Sequence, residues 1–313
     1  MQGHALPSKG IHWTVQGSFA ELKEPFLRSI FSAIPPSTHR KEDFMMIDAI
    51  LVVSFGTSHE NAHQLAIEPV VSLIQSEYPK VPIAQAYSSS IIRRVLARKG
   101  QEILSPAEAL RQLATKGYRH VALVPTHLIP GEEHAKVLRD VDIMRSHFAQ
   151  IHCAAPLMDS HEDMLSVVAA LALAYPLLDR QALVLMGHGS PTSSNAIYAA
   201  LDYTFKQQGH HNIFVGANGA YPDIQEVISL LHHQSYKEII LAPLLLVAGE
   251  HAKEDMAGEH PQSWMQQLYA AGYHVDARLQ GLGEIPSIQK MYLQHLKHAL
   301  EGATKHKHAP HHA

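Results

Sequence analysis

The sequence predicts an α/β fold of two similar halves, each a parallel sheet flanked by helices, with a cleft between them. Three observations carry this. Short apolar runs alternate with amphipathic stretches from Met46 onward, the alternation restarts near Ala182, and one strand-and-loop motif occurs in both halves. Strands that alternate with helices argue for parallel sheets covered on both faces.

Ala49 to Phe55 is a short apolar run ending at Gly56, a buried strand followed by a turn. An amphipathic helix is expected from Glu60 to Glu77, stopped by Tyr78-Pro79, and a second strand over Ile83 to Tyr87. Ser105-Pro106 with Glu108 opens a helix with a Ser cap and Pro in the first turn. His120 to Ile129 reads as a strand, Glu132 to Phe148 as a helix, Ile151 to Leu157 as a weaker strand and His161 to Ala174 as a helix. The second series begins with the strand Ala182 to Met186 and the helix Asn195 to Gln208. The strand Ile213 to Ala217, the helix Asp223 to His232 and the strand Ile239 to Val247 follow. Trp264 to Ala271 (helix), Val275 to Leu279 (strand) and Pro286 to Glu301 (helix) complete it.

The repeat is specific. Val121-Ala-Leu-Val-Pro125 precedes Gly131-Glu-Glu-His-Ala-Lys136, and Ile240-Leu-Ala-Pro243 precedes Gly249-Glu-His-Ala-Lys253. In both, the glycine stands six residues after the proline. The expected halves are 46–180 and 181–301. Residues 1–45 lack periodicity and read as a poorly ordered extension, and 302–313 as a His-rich tail (His306, His308, His311, His312). Ligands of open α/β sheets bind beyond the carboxyl ends of the strands, so chemistry is expected at those ends.

Composition narrows the function. The 313 residues are 46% hydrophobic and 17% charged, enough for a large core and too apolar for a disordered chain. Lys plus Arg is 25 against 29 Asp plus Glu, a net charge of −4, which argues against nucleic-acid binding. The one cysteine, Cys153, can form neither an internal disulfide nor a Cys-rich zinc site. No run reaches the ~18–20 apolar residues of a membrane span, and no signal peptide is evident. A soluble, cytoplasmic protein with no membrane partner is expected. Histidine is the outlier, with 25 residues.

His188 lies in Gly187-His188-Gly189, directly after a buried strand. Flanking glycines let the chain turn and leave the imidazole unobstructed. His251 follows the strongest strand and Gly249, at the first turn of the next helix. The bland readings are a core histidine and a helix-start residue. Two neutral imidazoles at adjacent strand ends can instead hold a divalent first-row metal and leave positions open. Aligned on the prolines without a gap, Glu133 is the counterpart of His251; with a one-residue gap it is His134. A carboxylate there could ligate a metal or accept a proton, or simply favour a helix N-terminus. Arg93 and Arg94 follow Ser88-Ser-Ser90 after the second strand and are either contacts for carboxylates or a solvated helix face. His127 reads as a buried histidine, and the pairs 210–211 and 232–233 as surface residues. There is no Ser–His–Asp signature, Walker motif, HExxH or dinucleotide fingerprint. Metal handling with proton transfer and no nucleotide is the chemistry suggested.

Four ordered segments resemble the anaerobic cobalt chelatase family CbiK: Leu51-Val-Val-Ser-Phe-Gly-Thr-Ser58, Met186-Gly-His-Gly189, Pro243-Leu-Leu-Leu-Val-Ala-Gly-Glu-His-Ala252 and Gly281-Leu-Gly-Glu284. The resemblance runs from about Met46 to Glu301. It implies a chelatase fold of two flavodoxin-like halves, and insertion of Co(II) into sirohydrochlorin or its oxidised factor during cobalamin synthesis. It implies no organic cofactor; the metal is a substrate, with Fe(II) or Ni(II) as alternatives, and a non-catalytic tetrapyrrole or metal carrier as another. The partners are the tetrapyrrole and a divalent metal, with a homo-oligomer left open. By this resemblance His188 and His251 are metal ligands and catalytic, and Glu133 is catalytic; Ser54, Ser89, Arg93 and Arg94 are the expected substrate contacts. One position departs. The family often places a ligating Glu before a Tyr-Pro pair, and Gly219 stands there, in Gly216-Ala-Asn-Gly-Ala-Tyr-Pro222. Asn218, Asp223 or water could substitute.

Overall fold

The computed structural model describes residues 47–307. The expected extension over 1–45 and the end of the His-rich tail, 308–313, lie outside them. Eight parallel strands form two four-stranded sheets. The first holds β1 (Ala49–Ser54), β2 (Ile83–Tyr87), β3 (His120–Pro125) and β4 (Gln150–Cys153), in the order β2-β1-β3-β4. The second holds β5 (Gln181–Gly187), β6 (Ile213–Ala217), β7 (Glu238–Leu244) and β8 (His274–Ala277), in the matching order β6-β5-β7-β8. The restart read from sequence is therefore a repeat of topology as well as of motif.

Strand burial follows the side-chain alternation of a pleat, yet both faces are apolar. Ile50 and Val52 of β1, Ala122 and Val124 of β3, Leu183 and Leu185 of β5, and Ile240 and Ala242 of β7 share one core cluster. Their neighbours Leu51, Val53 and Leu123 face a second cluster, and Val184, Met186 and Leu241 a third. The helices sort accordingly. The first sheet's outer face is covered by α3 (Pro106–Thr115) and α4 (Glu132–Met144). The shared cluster takes in α1 (Glu68–Glu77), α2 (Ser90–Arg98), α5 (His161–Ala174), α6 (Ala196–Gln207) and α9 (Pro286–Lys307). The second sheet's outer face is covered by α7 (Ile224–His232) and α8 (Trp264–Ala270).

Local chemistry fixes the ends. Ser105 and Glu108 form the expected capping box at α3, and Ser160 with Asp163 forms another at α5. The long helix expected over 60–77 is helical throughout but holds a π turn, His63–Ile67, just before Pro69, which has no N–H to give. The helix α2 was not expected as an element. Its Ser89 cap accepts from Ile92 N–H. Among the described residues no helix is long and apolar enough to cross a membrane.

The last helix packs back on the first sheet. Tyr292 of α9 is fully buried and donates its hydroxyl proton to the Thr126 carbonyl at 3.0 Å. His295 Nε2 meets Asp163 Oδ1 of α5 at 2.9 Å. Burial alone would push the His295 pKa down, but the hydrogen bond and charge of Asp163 outweigh it and hold the imidazole above its ordinary value. Burial likewise works to raise Asp163, and His295 and Ser160 overcome it and hold the carboxyl below the usual range.

This pair gives a testable sign. The His295 contribution is complete below an unfolded imidazole pKa of about 6.5 and is lost as pH rises through its raised folded value. The Asp163 contribution is lost as pH falls through its depressed folded value. His295→Gln should therefore cost about 1–3 kcal/mol in mildly acidic buffer. The deficit should shrink as pH is raised above the His295 value, as read by urea unfolding across a pH series.

Candidate functional site

In a sheet ordered 2-1-3-4 the chain leaves β1 toward one side and β3 toward the other, which opens a crevice at their carboxyl ends. The first sheet has that point between β1 and β3, and the second has it between β5 and β7. Glu133 follows β3, His188 follows β5 and His251 follows β7. The two crevices face each other. Phe55, just after β1, lies 6.3 Å from the His188 ring, centre to centre. His59 Nε2 meets Glu250 Oε2 at 3.0 Å.

His188 and His251 come together, with ring centres 4.5 Å apart and planes 55° apart. Metal–imidazole bonds of about 2 Å put each ring centre roughly 3 Å from a shared ion. A separation of 4.5 Å then suits two neighbouring ligands at roughly a right angle. Among the described residues no group of three or more His, Cys, Asp or Glu stands at metal-ligand spacing. Both imidazoles are open to solvent. The protein around the His188 ring, and then His251 alongside it, pushes the His188 pKa below its ordinary value, against the opposing charges of Asp255 and Glu133. Its lone pair is free at neutral pH.

Packing explains why His188 sits between glycines. A side chain on Gly187 would run into the Tyr198 ring. Gly189 has φ +81° and would place a Cβ 2.6 Å from the Asn218 carbonyl oxygen. His251 stands at the start of a π turn, Ala252–Met256. Its Nδ1 is 2.6 Å from Asp255 Oδ2, and the Asn218 side chain donates to that same oxygen at 3.0 Å. Asp255 was not foreseen, although a carboxylate four residues after a helix-start histidine shares its face.

Glu133 is half-buried in the first turn of α4. Lys136 Nζ donates to its Oε1 at 2.5 Å and Ser88 Oγ to its Oε2 at 3.3 Å. His134, the gapped alternative, is buried, as is His127, whose Nε2 lies 3.2 Å from Ser88 Oγ. Burial pushes the His127 pKa down to about 3, so this ring stays neutral. Glu133, not His134, is the open member of the pair.

The four expected substrate contacts separate. Ser54 is buried and accepts a hydrogen bond from Thr126 Oγ1 at 2.8 Å, and Ser89 is buried and caps α2, so both hydroxyls are engaged within the fold. The half-buried Arg93 turns toward Glu108, 3.7 Å away. Arg94 is exposed, with Nε donating to the Ser90 carbonyl. Gly219 has φ +68° with open space where a side chain would begin. Of the candidate substitutes for its missing carboxylate, Asp223 caps α7, and Asn218 turns to Asp255.

The family profile for cobalt chelatase (CbiK) matches residues 48–301. The chain belongs to the CbiK cobalt chelatase family. It is 36% identical over 262 residues to a sirohydrochlorin cobaltochelatase of Salmonella typhimurium, covering 83% of this chain and 99% of that one. It is 31% identical over 255 residues to the sirohydrochlorin cobaltochelatase CbiKC of Nitratidesulfovibrio vulgaris, covering 80% and 90%. Among solved structures, SirB from Bacillus subtilis with Fe3+ superposes with a TM-score of 0.59 at 16% identity, over 83% of this chain and 98% of that one. DR2241 from Deinococcus radiodurans, described as similar to chelatases, superposes with a TM-score of 0.50 at 15% identity, over 79% and 54%. These structures confirm the chelatase fold expected of this CbiK chain.

Gly187→Ala tests how tightly His188 is presented. Tyr198 must move to admit the methyl group, an overpacking change that costs about 1–3 kcal/mol. A lowered urea midpoint with an unchanged m-value is the expected result.

Proposed function

We propose that this chelatase inserts Co(II) into sirohydrochlorin as a step of cobalamin synthesis. The observation that carries the reading is the His188–His251 pair at the β5/β7 switch point of a CbiK chain, with rings 4.5 Å apart. The close relatives named as sirohydrochlorin cobaltochelatases support the choice of metal and ring.

The reaction exchanges two pyrrole N–H protons for one divalent ion. The ion must shed water while the macrocycle presents four nitrogens. His188 and His251 hold Co(II) through two bonds, which leaves its other positions for water and then for ring nitrogens. The depressed His188 pKa suits it to the ligand role at neutral pH. Glu133, across the cleft and electrostatically felt by His188, receives pyrrole protons as the ring nitrogens turn to the metal. Lys136 and Ser88 steady its carboxylate. The exposed Arg94 guanidinium, at the carboxyl end of β2, meets ring carboxylates. Phe55 offers an apolar face beside His188 for the macrocycle. Chemistry of this kind draws on positioning and on proton transfer, the latter worth about 10²–10⁴-fold.

The assay follows the visible absorbance of sirohydrochlorin with Co(II) and catalytic protein, with Fe(II) and Ni(II) in parallel. His188→Ala and His251→Ala should each lose assisted metallation while keeping the wild-type melting curve. Glu133→Gln should slow the reaction by about 10²-fold or more. Wild-type rates in both histidine variants would refute the ligand assignment. Saturation at one equivalent of ring, without turnover, would favour a carrier in which Gly219 has replaced a ligand.

The ionisation of His188 is a second test. Its pKa is depressed by the surrounding protein and then by His251. NMR of the His188 ring across a pH series should show it titrating below the ordinary imidazole value of about 6.5.

A further inference from the structure

We propose that Asp255 and Asn218 form a clamp that fixes the tautomer of His251 and sets the register between the two histidines. The proposal rests on His251 being a metal ligand, and it goes beyond that reading by assigning two positioning residues.

The hydrogen-bond inventory decides the proton's place. An ionised carboxylate only accepts. Asp255 Oδ2 accepts one proton from the Asn218 amide at 3.0 Å, and its 2.6 Å contact with His251 therefore requires Nδ1–H as donor. The neutral ring then carries its lone pair on Nε2. An imidazole left to itself exchanges freely between tautomers, and only one of them presents Nε2 as a ligand. The partner of the far ring nitrogen settles which one forms.

Asn218 extends the clamp to the other histidine. Its backbone N–H donates to the Gly187 carbonyl at 2.8 Å, one residue before His188. Its own carbonyl is the atom that keeps Gly189 free of a side chain. One residue thus touches both sides of His188 through its backbone and reaches the His251 support through its side chain. The π turn Ala252–Met256 brings Asp255 back beside His251. Gly219, which follows Asn218, has φ +68°, a conformation that lets the chain turn away directly after the clamp.

The test reads tautomer and metal separately. Long-range proton–nitrogen NMR spectra of the metal-free protein, at a pH where imidazoles are neutral, distinguish Nδ1–H from Nε2–H rings. The His251 signals are those that vanish in His251→Ala. Wild type should show the Nδ1–H form. Asp255→Ala, which removes the acceptor of both protons, should lose the Nδ1–H preference and show the Nε2–H form. Its dissociation constant for Co(II) alone should rise about 10–100-fold, the usual cost of removing a ligand's supporting partner. Asp255→Glu should restore most of the affinity and the wild-type tautomer. An unchanged tautomer in Asp255→Ala, or unchanged Co(II) affinity despite the tautomer change, would overturn the clamp. A failure of the ligand reading shows elsewhere, as wild-type Co(II) affinity in His251→Ala, and the spectra still report whether Asp255 governs the ring.

Discussion

Parallel strands dictate where this protein can do chemistry. Each strand runs the same way as its neighbours, so the chain must cross back through a helix before the next one begins. Every strand-to-helix loop then emerges at the same edge. The middle of each sheet is sealed on both faces by Ile, Val and Leu, which leaves polar side chains no place within it. At β1/β3 and at β5/β7 the returning helices diverge, and the loops beneath them stay open. Two such openings face each other. His188 and His251 come from the second sheet and Glu133 from the first, and Phe55 and the His59–Glu250 contact join the two sides.

An exposed ligand is useful only if its base is rigid. Both imidazoles reach solvent, yet the backbone beneath each is closely determined. Tyr198 lies against Gly187, the Asn218 carbonyl lies against Gly189, and Asp255 holds His251. Glu133 is held through both oxygens. The protein around the His188 ring, and then His251, lower its pKa against the charges of Asp255 and Glu133.

Much of the fold was legible because buried parallel strands leave a plain signal of short apolar runs separated by helical patterns. The doubled Pro–Gly spacing showed the two halves, and the glycines around His188 marked one site residue. What stayed hidden depends on packing between distant segments. Nothing local told that Ser54 and Ser89 would spend their hydroxyls on Thr126 and on a helix cap. The short helix α2 was legible only as one of two readings of Arg93 and Arg94, and its cap is Ser89. Asp255 carried only the weak signal of a carboxylate four residues after His251, on a segment that folds as a π turn. Glu133 and His134 could not be separated by counting, and burial separated them.

The return of α9 to the first sheet has a consequence for the order of events at the ribosome. Tyr292 and His295 complete surfaces laid down by Thr126 and Asp163, well over a hundred residues earlier in the chain. N-terminal segments generally fold first as they are made. Here the first sheet keeps an apolar flank uncovered until Pro286–Lys307 has been synthesised. The nascent first half waits for the last helix, and until α9 arrives it is the stage at which a chaperone would find most to hold.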